Sequence, residues 1–145
     1  MKSLLIASLL FTSAASACPN LSGNWKSCKS ATDPNWVVEN VSLANIKSSP
    51  LEINIVTENP YSNEVFSVDG VERKTSSPSP YGEAVKSYVA ECDGDSIVID
   101  TRVSFGGVKF AAIRTIMTLE GNRLIQDMAG TIGPEKNFKD KMICE

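Results

Sequence analysis

The stretch Ser96 to Leu119, SIVIDTRVSFGGVKFAAIRTIMTL, places two runs rich in β-branched residues on either side of Gly106-Gly107. Val, Ile and Thr suit a pleated strand, and adjacent glycines supply the positive φ angles of a two-residue hairpin turn. With that turn, Phe105 faces Val108, Val103 faces Phe110, Thr101 faces Ala112, Ile99 faces Arg114 and Ile97 faces Ile116. This face is apolar except at Arg114. The opposite face of the first strand carries Ser96, Val98, Asp100, Arg102 and Ser104, the solvent-like half of an alternating pattern. The stretch therefore predicts an antiparallel hairpin with one face in a core.

Asp93-Gly94, taken as the preceding turn, puts Tyr88 opposite Ile99 and Ala90 opposite Ile97, so that Tyr88, Ile99 and Arg114 lie abreast on the inner wall. After the hairpin, Gly121-Asn122 is the next turn signal. One register there brings Asp127 onto the face of Arg114, and a one-residue shift presents Gln126 and Met128 instead.

The same signals run through the chain. Expected strands are Gly23 to Lys29, Trp36 to Leu43, Leu51 to Thr57, Glu64 to Val68, Val71 to Ser76, Glu83 to Cys92, Ser96 to Phe105, Val108 to Leu119, Arg123 to Met128 and Lys139 to Cys144. Asp69-Gly70 is a further turn, and Ser76 to Gly82, with Pro78 and Pro80, is expected to be a loop. No long stretch has a 3.6-residue period. The expected fold is all-β: a single-domain antiparallel up-and-down β-barrel of about 8–10 strands, because closure removes the edges a long meander would expose. A two-sheet sandwich is the rival architecture.

Ahead of these strands, Lys2, the apolar run Leu4 to Phe11 and the small residues Ala15-Ser16-Ala17 have the layout of a signal peptide. The run is about half the roughly 20 residues that span a bilayer, so a membrane span is not expected. The expected organisation is a leader over 1–17 and a barrel domain over 18–145, secreted or periplasmic. Removing 17 of the 145 residues leaves 128, and the loss of Lys2 takes the formal charge from −3 to −4. No run of Lys or Arg collects, so nucleic acid and anionic membranes are not expected partners.

Cys18, Cys28, Cys92 and Cys144 all follow the leader, and an even number in an oxidising compartment reads as two disulfides. Of three possible pairings, Cys18 with Cys28 and Cys92 with Cys144 is the expectation, since a short loop closes at low entropic cost. The spacings lack the paired knuckles of a zinc site. Cys18 directly after the cleavage site also allows a lipoprotein anchor, although Ala15 stands where such signals usually carry leucine.

The chain has no histidine, which removes the usual nucleophile triads, histidine metal sites and the commonest general base. No glycine-rich phosphate cradle and no close carboxylate couple stand out. A non-enzymatic protein without metal or cofactor is expected.

Gly23-Asn24-Trp25, within Asn20 to Lys26, resembles the opening strand of the calycins, the barrel superfamily of lipocalins, fatty-acid-binding proteins and avidins. Leu119 to Gln126 is similar to a penultimate hairpin of the fatty-acid-binding proteins. The resemblance implies a barrel with Trp25 packed across its floor and a ligand in its lumen. The lipocalin T-D-Y turn, the helical lid and the R-x-Y carboxylate grip have no counterparts here, since Arg114-Thr115-Ile116 ends in isoleucine.

The expected function is binding of a small, mainly apolar molecule, neutral or acidic, with Arg114, Tyr88, Trp25, Ile99 and Phe110 as candidate ligand contacts. Arg114 on an apolar wall must be paired, for instance with Asp127, or await an anion. The alternative is a protein-interaction or protease-inhibitor module whose lumen is filled by side chains.

Overall fold

The computed structural model describes residues 17–145, so the expected leader lies, but for Ala17, outside the described residues. Ten strands follow one another: β1 (Gly23–Ser30), β2 (Val37–Ile46), β3 (Glu52–Glu58), β4 (Tyr61–Ser67), β5 (Arg73–Ser79), β6 (Gly82–Asp93), β7 (Ser96–Phe105), β8 (Val108–Glu120), β9 (Arg123–Ile132) and β10 (Lys136–Cys144). They form one antiparallel sheet in the order β4-β3-β2-β1-β10-β9-β8-β7-β6-β5. Every sequence neighbour pairs except β4 with β5, and β1 pairs with β10 to join the chain's two ends.

The result is a half-barrel rather than a ring of ladders. Along the seam between β4 and β5, Val68 bridges Ala90 of β6, the Gly70 N–H donates to the Ala90 carbonyl (2.9 Å), and Glu64 forms an ion pair with Lys86. β5 contains no large apolar side chain. It also runs through Pro78, where a loop was expected; proline is tolerated because β5 is an edge strand and owes no hydrogen bond on its outer side.

Two register details decide which side chains point inward. The turn between β6 and β7 is Gly94-Asp95 rather than Asp93-Gly94, so Ala90 faces Ile99 and Tyr88 faces Thr101. This two-residue displacement keeps each side chain on its expected face. Between β7 and β8 the Gly106-Gly107 turn forms as expected, with φ of 54° and 81°, and Phe105 faces Val108.

The register then shifts: Ser104 faces Lys109 while Val103 faces Ala111, leaving Phe110 as the extra residue of a β-bulge. The Phe110 carbonyl accepts from the Gly133 N–H at 2.6 Å. From Ala111 onward each β8 side chain is on the face opposite to the expected one. Arg114 accordingly stands on the outer surface beside Asp100, its register partner, with Nη1 3.5 Å from Oδ2.

The packed core lies toward the end of the half-barrel where β8 turns into β9. There Leu21, Leu43, Ile53, Ile97 and Leu124 are all at most 2% exposed. Trp25, 6% exposed, crosses this floor and donates its indole N–H to the Asn122 carbonyl at 2.8 Å. Gly23 is required by the same indole, because a Cβ there would lie 2.7 Å from the ring. Asn45 ties the segment before β1 to β2: its Oδ1 accepts from the Leu21 N–H and its Nδ2 donates to the Pro19 carbonyl.

The disulfides are Cys18–Cys92 and Cys28–Cys144, which corrects the expected pairing. Strand geometry overrides loop entropy. Cys28 and Cys144 are direct partners in the three-pair β1–β10 ladder, so their bond staples the shortest junction of the sheet. Cys18–Cys92 fixes the N-terminal segment to β6. The bonds close 74- and 116-residue separations, for which chain entropy gives about 4 to 5 kcal/mol each. Two disulfides point to an oxidising, extracytoplasmic location. Among the described residues, no helix is long and apolar enough to cross a membrane.

Candidate functional site

The half-barrel is solid at the Trp25 end and hollow above it. A cavity of about 230 Å³ lies between β1–β4 on one side and β7–β10 on the other, with the Cys28 half of the disulfide in its wall. Its position follows from a switch of side-chain parity in β1 and β2. Lys26 and Asn40 drop out of the ladder, Asn40 takes a left-handed φ of 49°, and Trp25 and Cys28, three residues apart, both reach the interior.

Much of the lining is apolar and soft. Met117, Met128 and Met142 enter from β8, β9 and β10, opposite Val38, Val41 and Ile55; Phe66 and Ile99 also line it. Unbranched thioether side chains repack around objects of different shape. Trp36 stands at the lip, 38% exposed, with its ring 6.0 Å from that of Phe138.

The polar lining consists of hydroxyls and one amide: Thr57, Ser62, Thr101, Thr115 and Gln126. Gln126 Nε2 makes only a weak contact to Cys144 Sγ at 3.8 Å. Among the described residues, Glu64 is the one charged residue in the wall, with Lys86 as its partner across the seam, and no cation lines the cavity. Among the described residues, no group of three His, Cys, Asp or Glu side chains is placed to hold a metal.

Of the five candidates read from the sequence, Ile99 lines the cavity. Trp25 is inward and buried, but it builds the floor beneath. Tyr88 packs edge-on against Phe66 at 4.9 Å, and its hydroxyl already accepts from the Ser67 N–H. Phe110 is pushed to the open end by the bulge, where it meets Phe105 at 5.3 Å. Arg114 is on the outer surface with Asp100, and Asp127, offered as its internal partner, forms an ion pair with Lys141 outside.

Gln126 and Met128, the other register considered for β9, are the pair that faces inward. Trp36, Met117 and Met142 were not foreseen as lining residues. The signal available for Met117 and Met128 was their place two residues from Thr115 and Gln126 on the same strand faces, whereas Met142 has no such neighbour.

One buried acid, Asp140, organises the loop next to the cavity lip. Burial pushes the Asp140 carboxyl up, but hydrogen bonds from Ser30 Oγ (2.6 Å), Thr32 Oγ1 (2.8 Å) and the Lys141 N–H (2.7 Å) outweigh it and hold the group below its ordinary value. Ser30 Oγ in turn accepts from the Thr32 and Asp33 N–H groups, fixing the approach to Trp36.

This geometry defines a small half-barrel with one closed and one hollow end. Compared with protein-family models, with curated proteins and with solved structures, the chain gives no match in any of the three.

Proposed function

We propose that the protein is an exported, non-enzymatic binding module that takes one small, mainly apolar, uncharged molecule into the hollow end of the half-barrel. The observation that carries this reading is the cavity: about 230 Å³ of space lined by three methionines, with hydroxyls and an amide but no cation. An apolar cavity of about 150 Å³ holds one benzene, so roughly eight to twelve non-hydrogen atoms suit this one. The open space supports a ligand over the alternative of a side-chain-filled inhibitor barrel.

The polar preference differs from the one read in the sequence. With Arg114 outside and Glu64 in the wall, a carboxylate ligand gains no partner and meets a like charge, whereas an alcohol finds hydroxyls and Gln126. The calycin likeness belongs to this proposal and is supported by the meander, the β1–β10 pairing and the Gly23–Trp25 contact. Cleavage after Ala17 and release into the periplasm or medium complete it. The Cys18–Cys92 bond leaves no thiol for a lipid anchor.

Titration calorimetry with 1-octanol and with octanoate tests the reading. The expected result is a Kd on the order of 10 to 100 µM for octanol, the scale set by ligand efficiency for so small a molecule. Octanoate should bind at least about tenfold more weakly, the cost of an unpaired buried charge being well above 1.4 kcal/mol. Heat from neither ligand, or tighter binding of octanoate, overturns it.

A further inference from the structure

The large apolar side chains left exposed are unevenly placed. Of eight among the described residues, five stand around the hollow end: Trp36, Tyr61, Tyr81, Val108 and Phe110. They lie in or beside the β1–β2, β3–β4, β5–β6 and β7–β8 connections, which an antiparallel meander brings to one end. The β2–β3 and β4–β5 connections at the closed end expose only Ile46 and Val71.

Two of the rim hairpins are locked together. The Gly106 N–H donates to the Glu83 carbonyl at 2.9 Å, and a Cβ on Gly82 would come within 2.8 Å of the Gly106 backbone. On this base Tyr81 packs edge-on against Phe105 at 6.4 Å, and Phe105 against Phe110 at 5.3 Å. Tyr81 is still 80% exposed and Val108 72%. These side chains are held outward by a fixed backbone rather than left over from a core.

We propose that this rim docks on an electrically neutral, zwitterionic lipid surface, with the cavity mouth facing the lipid. The proposal rests on the cavity reading and adds where the ligand comes from. Trp and Tyr carry an apolar body with a polar tip and settle at the boundary between hydrocarbon and water. An apolar ligand passing from lipid into a mouth pressed against it avoids crossing water. Charge selects the surface: the rim connections and the strand ends beside them carry Asp33, Glu58, Glu83 and Glu135 against Lys29, Lys109 and Lys136, with no excess of positive charge to attract anionic lipid.

Flotation of the mature protein with phosphatidylcholine vesicles, compared with vesicles containing one third phosphatidylglycerol, tests this. The expected result is capture by phosphatidylcholine, weaker capture by the anionic vesicles, and a loss of about tenfold in the Tyr81→Ser/Val108→Ser variant, whose two sites are solvent-exposed and outside the cavity wall. Octanol affinity of that variant should be unchanged, which separates the rim from the cavity. Wild-type protein that stays lipid-free, a variant that floats equally well, or stronger capture by anionic lipid overturns the proposal; so does a rim buried instead in a dimer that ignores vesicles. Absence of octanol binding alongside wild-type flotation would remove the cavity reading and the loading role while leaving the docking surface.

Discussion

The two ends of the half-barrel are built from the same ten strands yet do opposite things with their side chains. At the closed end, Trp25, Leu21 and Leu124 fill the space between the sheet's walls, the indole N–H ties β1 to the β8–β9 turn, and the Asn45 amide ties the segment before β1 to β2. At the open end, shorter hydroxyl side chains such as Thr101 and Thr115 stand beside Ile99 and Met117, and the walls stay apart. The difference teaches that strand pairing sets the container, while side-chain volume decides whether any part of it is occupied. Stability should therefore be concentrated in the floor and in the staple above it, and binding in the hollow.

The largest expected effect comes from the Cys28–Cys144 staple, which marks the boundary between the two ends. Cys28→Ser with Cys144→Ser should cost about 4 to 5 kcal/mol in denaturant melts, by the chain-entropy argument for a loop of this length. A loss below about 1 kcal/mol would mean that the β1–β10 junction holds without it. Trp25→Ala should cost about 3 to 5 kcal/mol, as for other large buried aromatics. Gly23→Ala should move in the same direction, because the new methyl meets the indole. A surface-like response at both positions would erase the distinction between a solid and a hollow end.

Asp140 gives a smaller effect with a defined pH dependence. Its folded-state pKa is depressed, so the stability it contributes is present above the ordinary carboxylate range and is lost as pH falls through the folded value. Asp69, held down to about 2 chiefly by its hydrogen bond from Arg73, acts in the same window, from about pH 4 downward. Asp140→Asn should cost about 1 to 2 kcal/mol at neutral pH and flatten the acid limb of the stability curve. An unchanged acid limb would show that the Ser30–Asp140 contact does not hold the loop beneath Trp36.

The smallest expected effect is at Arg114. On the outer surface, paired only with a half-exposed Asp100, its replacement by Met should change stability by less than about 0.5 kcal/mol and leave octanol binding unaltered. A loss of several kcal/mol, or a changed preference between octanol and octanoate, would return Arg114 to the interior.

Arg114 also shows where the sequence stops being legible. All ten strands could be read from β-branched runs and turn residues, as could the inward face of β7 and the burial of Trp25. The bulge could not, because Phe110 is an ordinary strand residue and what favours its displacement, the Gly133 N–H, is 23 positions away. One unread residue then reversed every later assignment on β8. The disulfide pairing failed for a related reason: Cys28 and Cys144 become neighbours only once β1 pairs with β10. The open seam followed from β5, whose polar composition and Pro78 mark an edge that the barrel expectation overrode. Cavities leave no periodic trace, since Thr115 and Met117 alternate with outward residues as core positions do.

The contrast between ends is tested most directly by the methyl and indole NMR signals of the mature protein during titration with 1-octanol. The Met117, Met128 and Met142 methyls and the Trp36 indole N–H should shift together and saturate with one affinity, while the Trp25 indole N–H, bonded to Asn122 in the floor, stays in place. Movement of Trp25 with silent methionine methyls, or uniform small drifts that never saturate, would contradict it.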